Sequence, residues 1–350
     1  MVERGGGVRH PAPGVQGEEV SAATETEQPT GCSVFYAGAG DEISERPCGG
    51  TKNVRKIAVF LLGLFLATGP ARALERGPAS DLMRQCEALI CAEKERRGLF
   101  DPEADPGRSG LIGVEFSPLT TSLGELADKR AAARPEMADA VAEYLRRAGV
   151  ASGDWVAVNA SASFPGFCLA ALCAAETLGV HVQFVFSYGS SMYGGTQPEF
   201  TFPVMLDLLN ASGLLRTRLR AVAPGGAWDR MGEVLLEDPL PTLRVLLDSR
   251  CEEKIEAAGL AEAIRRRLEI FGETPRPIRC FVNCGGAWTS MGLSERVLEV
   301  GYGLLERPVS VPQGNERGLI FEYLERGVPV VHLLYAKGIC RDFGIPYGEE

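Results

Sequence analysis

Histidine is almost missing from this chain, with 3 in 350 residues. Two of them, His181 and His332, fall beyond the polar N-terminal region. No C-x-x-C occurs and no histidine neighbours a cysteine, so the usual ligand spacings of a zinc site are absent and no metal is expected. A basic excess is absent too: 36 Lys and Arg stand against 46 Asp and Glu, a net charge of −10. Such a surface repels a phosphate backbone, which argues against a nucleic-acid partner. Long apolar runs are also lacking. The longest, IAVFLLGLFLA at 57–67, falls short of the roughly 20 residues that span a bilayer.

What is present is the composition of a globular protein, 45% hydrophobic and 23% charged. Residues 1–56 are the exception. They are rich in Gly, Pro, Glu, Thr and Ser, and read as a disordered extension or as residues ahead of the true start, near Val54. Lys52, Arg55 and Lys56, the apolar run and then Ala71-Arg72-Ala73 form a secretory-signal pattern. The segment 57–73 is therefore expected to be a signal peptide or a short membrane anchor. The protein is expected to be exported, either periplasmic or extracytoplasmic, or attached to the cytoplasmic membrane by this segment. Residues 74–350 remain as a folded domain, whose two halves would meet near 240.

Within that domain apolar strands alternate with helices. Candidate strands are LIGVEF (111–116), WVAVNA (155–160), HVQFVFS (181–187), RLRAVA (218–223), 244–247, CFVNC (280–284) and VPVVHLLY (328–335). Candidate helices include 81–98 capped by Ser80, 167–178, one from about Pro203, 257–271 and 316–326. This alternation predicts an α/β fold, with a mostly parallel, doubly wound, Rossmann-like sheet and helices on both faces. Cys168 and Cys173, inside an apolar helical run, read as core thiols.

In such a fold the loops after the strands meet in one crevice. Here they read SPLTTS, SASFPG, SYGSSMYGG, PGGAWDRMG and CGGAWTSMG. The motif GGAWxxMG thus occurs twice, each time after a strand. One reading has Gly225, Gly226, Gly285 and Gly286 bringing backbone N–H groups to a ligand walled by Trp228 and Trp288. The other has two tight strand-to-helix turns and nothing more. Thr120, Thr121, Ser187, Ser190, Ser191 and Tyr193 add hydroxyls. Asn283 precedes the second copy. Such neutral donors suit a ligand rich in carboxylates or hydroxyls.

Ser161 and Ser163 sit between a strand and a helix, as a nucleophile elbow does, although Asn159 and Ser163 stand where the elbow motif has glycine. Their hydroxyls with the helix N-terminus suit an anion; alternatively Ser163 is an ordinary N-cap. A serine hydrolase would need His332 as base, yet His332 equally fits a hydrogen-bonded core residue. Glu115, Glu199 and Asp229 are the carboxylates near strand ends, as acids, bases, metal ligands or loop braces. Arg317 could offer a local positive fork.

The segments GVEFSPLTTSLGELADKR, NASASFPG, SYGSSMYGGTQPEFTF, FVNCGG and RGVPVVHLL together resemble the bacterial poly-γ-glutamate system protein family over roughly residues 79–347. The resemblance implies an accessory of poly-γ-glutamate synthesis and export. Its partners would be the polymer or its precursor and the membrane subunits of the synthase. It implies a pathway and not a reaction, and it names no cofactor. Carboxylate binding in the crevice and a serine-dependent amidase or transferase acting on γ-glutamyl bonds are both consistent with it.

Overall fold

The computed structural model describes residues 77–348 apart from 233, 234, 236, 237 and 307–309, with the side chain of 315 also left out. The expected extension (1–56) and signal segment (57–73) lie outside the described residues. No described helix is long and apolar enough to cross a membrane.

The elements run α1 (Pro78–Arg96), β1 (Thr120–Ser122), α2 (Leu126–Ala132), α3 (Glu136–Arg147), β2 (Trp155–Ser161), α4 (Pro165–Leu178), β3 (His181–Ser187), β4 (Ser190–Ser191), α5 (Phe202–Ser212), β5 (Leu219–Ala223) and α6 (Leu240–Asp248). They continue with β6 (Glu253–Lys254), α7 (Leu260–Gly272), β7 (Ile278–Cys284), α8 (Trp288–Met291), β8 (Gly303–Leu305), α9 (Leu319–Glu325), β9 (Val330–Leu333) and α10 (Ala336–Phe343). The main sheet has the order β6-β5-β3-β2-β7-β9-β8, parallel except for β8, which pairs antiparallel with β9. Strands from both sides of residue 240 enter this one sheet.

The sheet is covered on both faces, as the alternation predicts. Val156, Val158 and Ala160 face a core shared with α1, α3, α4 and α5. Ala157, Val185 and Phe281 face a second core shared with α7 and α9. Helix α4 is apolar all round because it lies between the sheet and α1 and α3; residues Pro165–Ala175 are buried, Cys168 and Cys173 among them. All eight described cysteines are free thiols, and only Cys251 is exposed.

Two expected strands are corrected. The segment 111–116 is not in the sheet. It packs against the loop after β3, where Gly113 N–H donates to the Tyr193 carbonyl (3.0 Å) and Val114 O accepts from Tyr193 N–H (3.0 Å). Residues 244–247 belong to α6, which buries Leu243, Leu246 and Leu247 at helical spacing. The cap expected from Ser80 comes instead from Asp139 on α3, which accepts from Gly77 N–H (2.8 Å) and Ser80 N–H (3.1 Å).

From β2 the chain winds outward through β3, β5 and β6, then returns to place β7 on the other flank of β2. Helix α4 after β2 lies on one face of the sheet and α8 after β7 on the other. The ends of β2 and β7 therefore flank the switch-point crevice where parallel α/β sheets take ligands, and the Gly285 backbone of the β7 loop packs over Ser161 there.

Candidate functional site

The floor of this crevice is a buried polar network. Asn159 is the third-last residue of β2 and alternates to the α7 face, where Arg267 arrives from α7. Arg267 donates Nε–H to Asn159 Oδ1 (3.0 Å), Nη1–H to Asp229 Oδ2 (2.7 Å), and Nη2–H to Asp229 Oδ1 (3.0 Å) and Ser187 Oγ (3.0 Å). The Asn159 amide donates onward to Thr289 Oγ1 (3.2 Å) and Ser290 Oγ (2.8 Å). Arg267 is 0% and Asp229 2% exposed, so the pair is fully desolvated. Burial pushes the Asp229 carboxyl up, against the pull of Arg267.

The two GGAWxxMG copies meet in this network. In the first, Trp228, Asp229 and Met231 all have positive φ (58°, 60° and 53°), strained conformations for residues with side chains. In the second, Trp288–Met291 form one helical turn, α8. Identical letters thus take different backbones. Their variable positions still converge, because Asp229 grips Arg267 while Thr289 and Ser290 receive Asn159. Above, the Trp228 and Trp288 rings pack at 5.1 Å between centroids, and Trp228 stays half exposed.

Ser161, at the end of β2, lies beside this floor. Its Oγ is buried and has no hydrogen-bond partner. Gly285 passes directly over it with φ 95°, and a Cβ there would lie 2.5 Å from Ser161 Oγ, so only glycine fits. Ser163 differs: its Oγ accepts from Ser191 N–H (3.0 Å), and the helix N-cap is Phe164 without a side-chain cap, so the N-cap reading of Ser163 is corrected.

Lys129 on α2 ties these loops together. Its Nζ donates to Ser163 O (2.7 Å) and Ser191 Oγ (2.6 Å) and lies 3.5 Å from the centre of the Phe164 ring. Burial lowers it to about 7. The sequence reading gave Lys129 and Arg267 no role. Arg267 was detectable, for it occupies the buried stripe Leu260, Ala263, Ile264, Arg267, Ile270 and Phe271.

Other candidates serve as braces. Ser190 Oγ donates to Ser191 O (2.8 Å), Thr121 Oγ1 donates to Ser190 O (3.2 Å), and Thr120 Oγ1 accepts from Ser117 N–H (2.9 Å). β1 and β4 pair in a small two-stranded sheet holding these residues. Glycine amides expected to face a ligand are partly engaged within the protein. Gly285 N–H donates to Leu333 O, and Gly189 N–H to Pro224 O. A Cβ on Gly189 would come within 2.3 Å of Gly226 N, so the loops carrying Gly189 and the Gly225-Gly226 pair touch backbone to backbone. Gly286 is exposed at the rim.

His332 is no base for either serine. It lies in register with Asn283, one strand beyond β2's neighbour. Asn283 Nδ2 lies 2.7 Å from the Gly285 carbonyl, which needs a donor, so the same amide donates to His332 Nδ1 (2.8 Å). The proton of His332 is then on Nε2, and burial lowers the imidazole to about 4, leaving it neutral. Arg317 is not an open fork, since it pairs with Glu322 and with Glu325 (2.6 Å) on α9. Glu115 is exposed and hydrogen-bonded with Tyr193. The Glu199 side chain is exposed and its carbonyl accepts from Arg97 of the loop after α1 (3.0 Å), outside the network. Among the described residues no group of three or more His, Cys, Asp or Glu is placed to hold a metal ion.

Fold and site together define an α/β protein with a switch-point crevice over a buried ionic floor. No family model matches the chain. No curated protein matches it either. Among solved structures it is similar to the Klebsiella oxytoca NpsA N-terminal subdomain, with 13% identity and a TM-score of 0.15 over 53% of this chain and 32% of that one. It is also similar to an archaeal alanine:glyoxylate aminotransferase, with 12% identity and a TM-score of 0.17 over 74% of this chain and 57% of that one. The chain therefore spans less than two thirds of either, and likeness of this degree says nothing about what it binds.

Proposed function

We propose that this protein is an exported or membrane-associated component of a poly-γ-glutamate synthesis or export system, and that it binds polymer or precursor carboxylates in the crevice between the β2 and β7 loops. The binding reading is carried by Ser161, whose buried hydroxyl has no partner at the point where a parallel sheet takes its ligand. A buried hydroxyl left unpaired costs about 1–3 kcal/mol, which an accepting carboxylate would return once the Gly285 backbone that covers it moves aside. Trp228 and Trp288 at the mouth supply apolar surface for the methylenes of a γ-linked chain. The pathway rests on the resemblance of the loop segments, and export on the basic, apolar and A-x-A pattern of residues 52–73.

The serine-dependent amidase or transferase has weaker support. Ser161 Oγ is bonded to no base, and His332 Nδ1 is occupied by Asn283. Calorimetry with short γ-glutamyl oligomers tests the binding reading. Saturable heat that Ser161→Ala weakens at least about tenfold, with the fold intact, is the expected result. No heat and an unchanged melting temperature at millimolar oligomer would refute it. Fluorophosphonate labelling lost in Ser161→Ala would transfer the assignment to the enzyme. N-terminal sequencing of the secreted form, expected to begin near Leu74, tests export.

A further inference from the structure

A cavity of about 1160 Å³ lies apart from the crevice, between α1, the segment 103–109, the α2–α3 junction and the residues after α10. Its α1 wall carries Arg84 and Glu87, three residues apart on one helical face, with Asp105 and Glu136 nearby. Glu87 is 7% exposed, and its Oε1 is buried without a hydrogen-bond partner; Arg84 Nη2 is also buried and unpartnered. The remaining contacts of Arg84 are long, 3.6 Å to Glu136 and 3.9 Å to Asp81. Asp105, by contrast, is saturated by Ser109 N–H, Ser109 O–H and Gly110 N–H. One acceptor and one donor, both buried and carried by residues of the cavity wall, thus have no hydrogen-bond partner within the protein.

We propose that this cavity binds a free α-amino acid, its ammonium meeting Glu87 and its carboxylate meeting Arg84 Nη2. Side chains three apart on a helix stand about 5–6 Å from each other at Cβ, and an α-amino acid carries both charges on one carbon, so a single ligand spans the pair. A lone anion would meet Arg84, and with it Arg108, Arg130 and Arg134 of the same wall, but would leave Glu87 unpaired. A lone amine would leave Arg84 Nη2 unpaired. Only a zwitterion satisfies both groups, and the rest of the volume, ample for a small-molecule site, takes its side chain. Burial, and Asp105 after it, hold the Glu87 carboxyl well above the usual carboxylate range, a penalty an adjacent ammonium removes. The cavity shares no residue with the crevice, so it stands or falls independently of the poly-γ-glutamate reading.

Thermal unfolding of the full chain with each proteinogenic L-amino acid, at about 10 mM, tests this. At least one should raise the melting temperature by a few degrees, while its N-acetyl and carboxamide derivatives do not. Glu87→Gln and Arg84→Met should abolish the shift. Ala88→Trp, on the exposed face of α1 at the cavity wall, should abolish it too and keeps the test decisive if the charge variants fail to fold. No shift with any amino acid, equal shifts with the blocked derivatives, or a shift that persists in Ala88→Trp would overturn the proposal.

Discussion

Ser161 and Gly285 show how one residue's environment separates stability from binding. Ser161→Ala removes a buried hydroxyl that bonds to nothing, so it should leave stability unchanged or raise it by up to about 1 kcal/mol in urea unfolding, while ligand affinity falls. Gly285→Ala should do the reverse of a neutral change. Its φ of 95° and the 2.5 Å approach to Ser161 Oγ leave no room for a methyl, and a loss of about 1–3 kcal/mol is expected, together with loss of ligand heat. Both residues stood out in the sequence, one beside an elbow-like turn and one in a repeated glycine motif. Lys129 did not, because a single lysine in LADKRAA looks solvated until the loops after β2 and β3 close over it.

At the scale of elements, the two GGAWxxMG copies converge through the same ionic floor although their backbones differ. Asp229, held in a strained loop, depends on Arg267 of α7, and Arg267 depends on Asn159 of β2. Asp229→Ala strands a buried guanidinium and should cost about 3–5 kcal/mol. Asp229→Leu combined with Arg267→Met leaves no buried charge and should recover much of that loss in the same unfolding measurement. In both variants the Trp228–Trp288 contact loosens, which a red shift in tryptophan emission would report. The strand expected at 244–247 failed for a related reason. Its Arg-Val-Leu-Leu letters fit either period, and the burial of Leu243, Leu246 and Leu247 together selects the helix.

For the whole molecule, burial of titratable groups sets the pH dependence. His332 titrates near 4 when folded against 6.5 when free, so the unfolded chain binds the extra proton between those values. Stability should therefore fall as pH drops from 6.5 to 4, by about 3 kcal/mol from this group. Lys129, near 7 against 10.5, has the same sign in a higher window, so stability should rise as pH climbs from 7 towards 10.5. Glu87 acts in the opposite direction above 4.5, because its raised carboxyl must lose a proton the fold retains. Urea unfolding across pH separates them. His332→Gln should flatten only the lower window and Lys129→Met only the upper one.

The sequence by itself determined the alternation of strands and helices, the parallel sheet with two covered faces, and the polar loops at the strand ends, because hydrophobic periodicity is local and repeats within each element. Tertiary structure decided which strand neighbours which. The return of β7 to the flank of β2 makes the crevice, and that adjacency links residues 159 and 283, which no local pattern joins. It also decided which charges are hidden. Arg267, Lys129 and Glu87 carry the letters of a solvated surface, and only the packing of distant elements around each removes the water that the letters alone would lead one to expect.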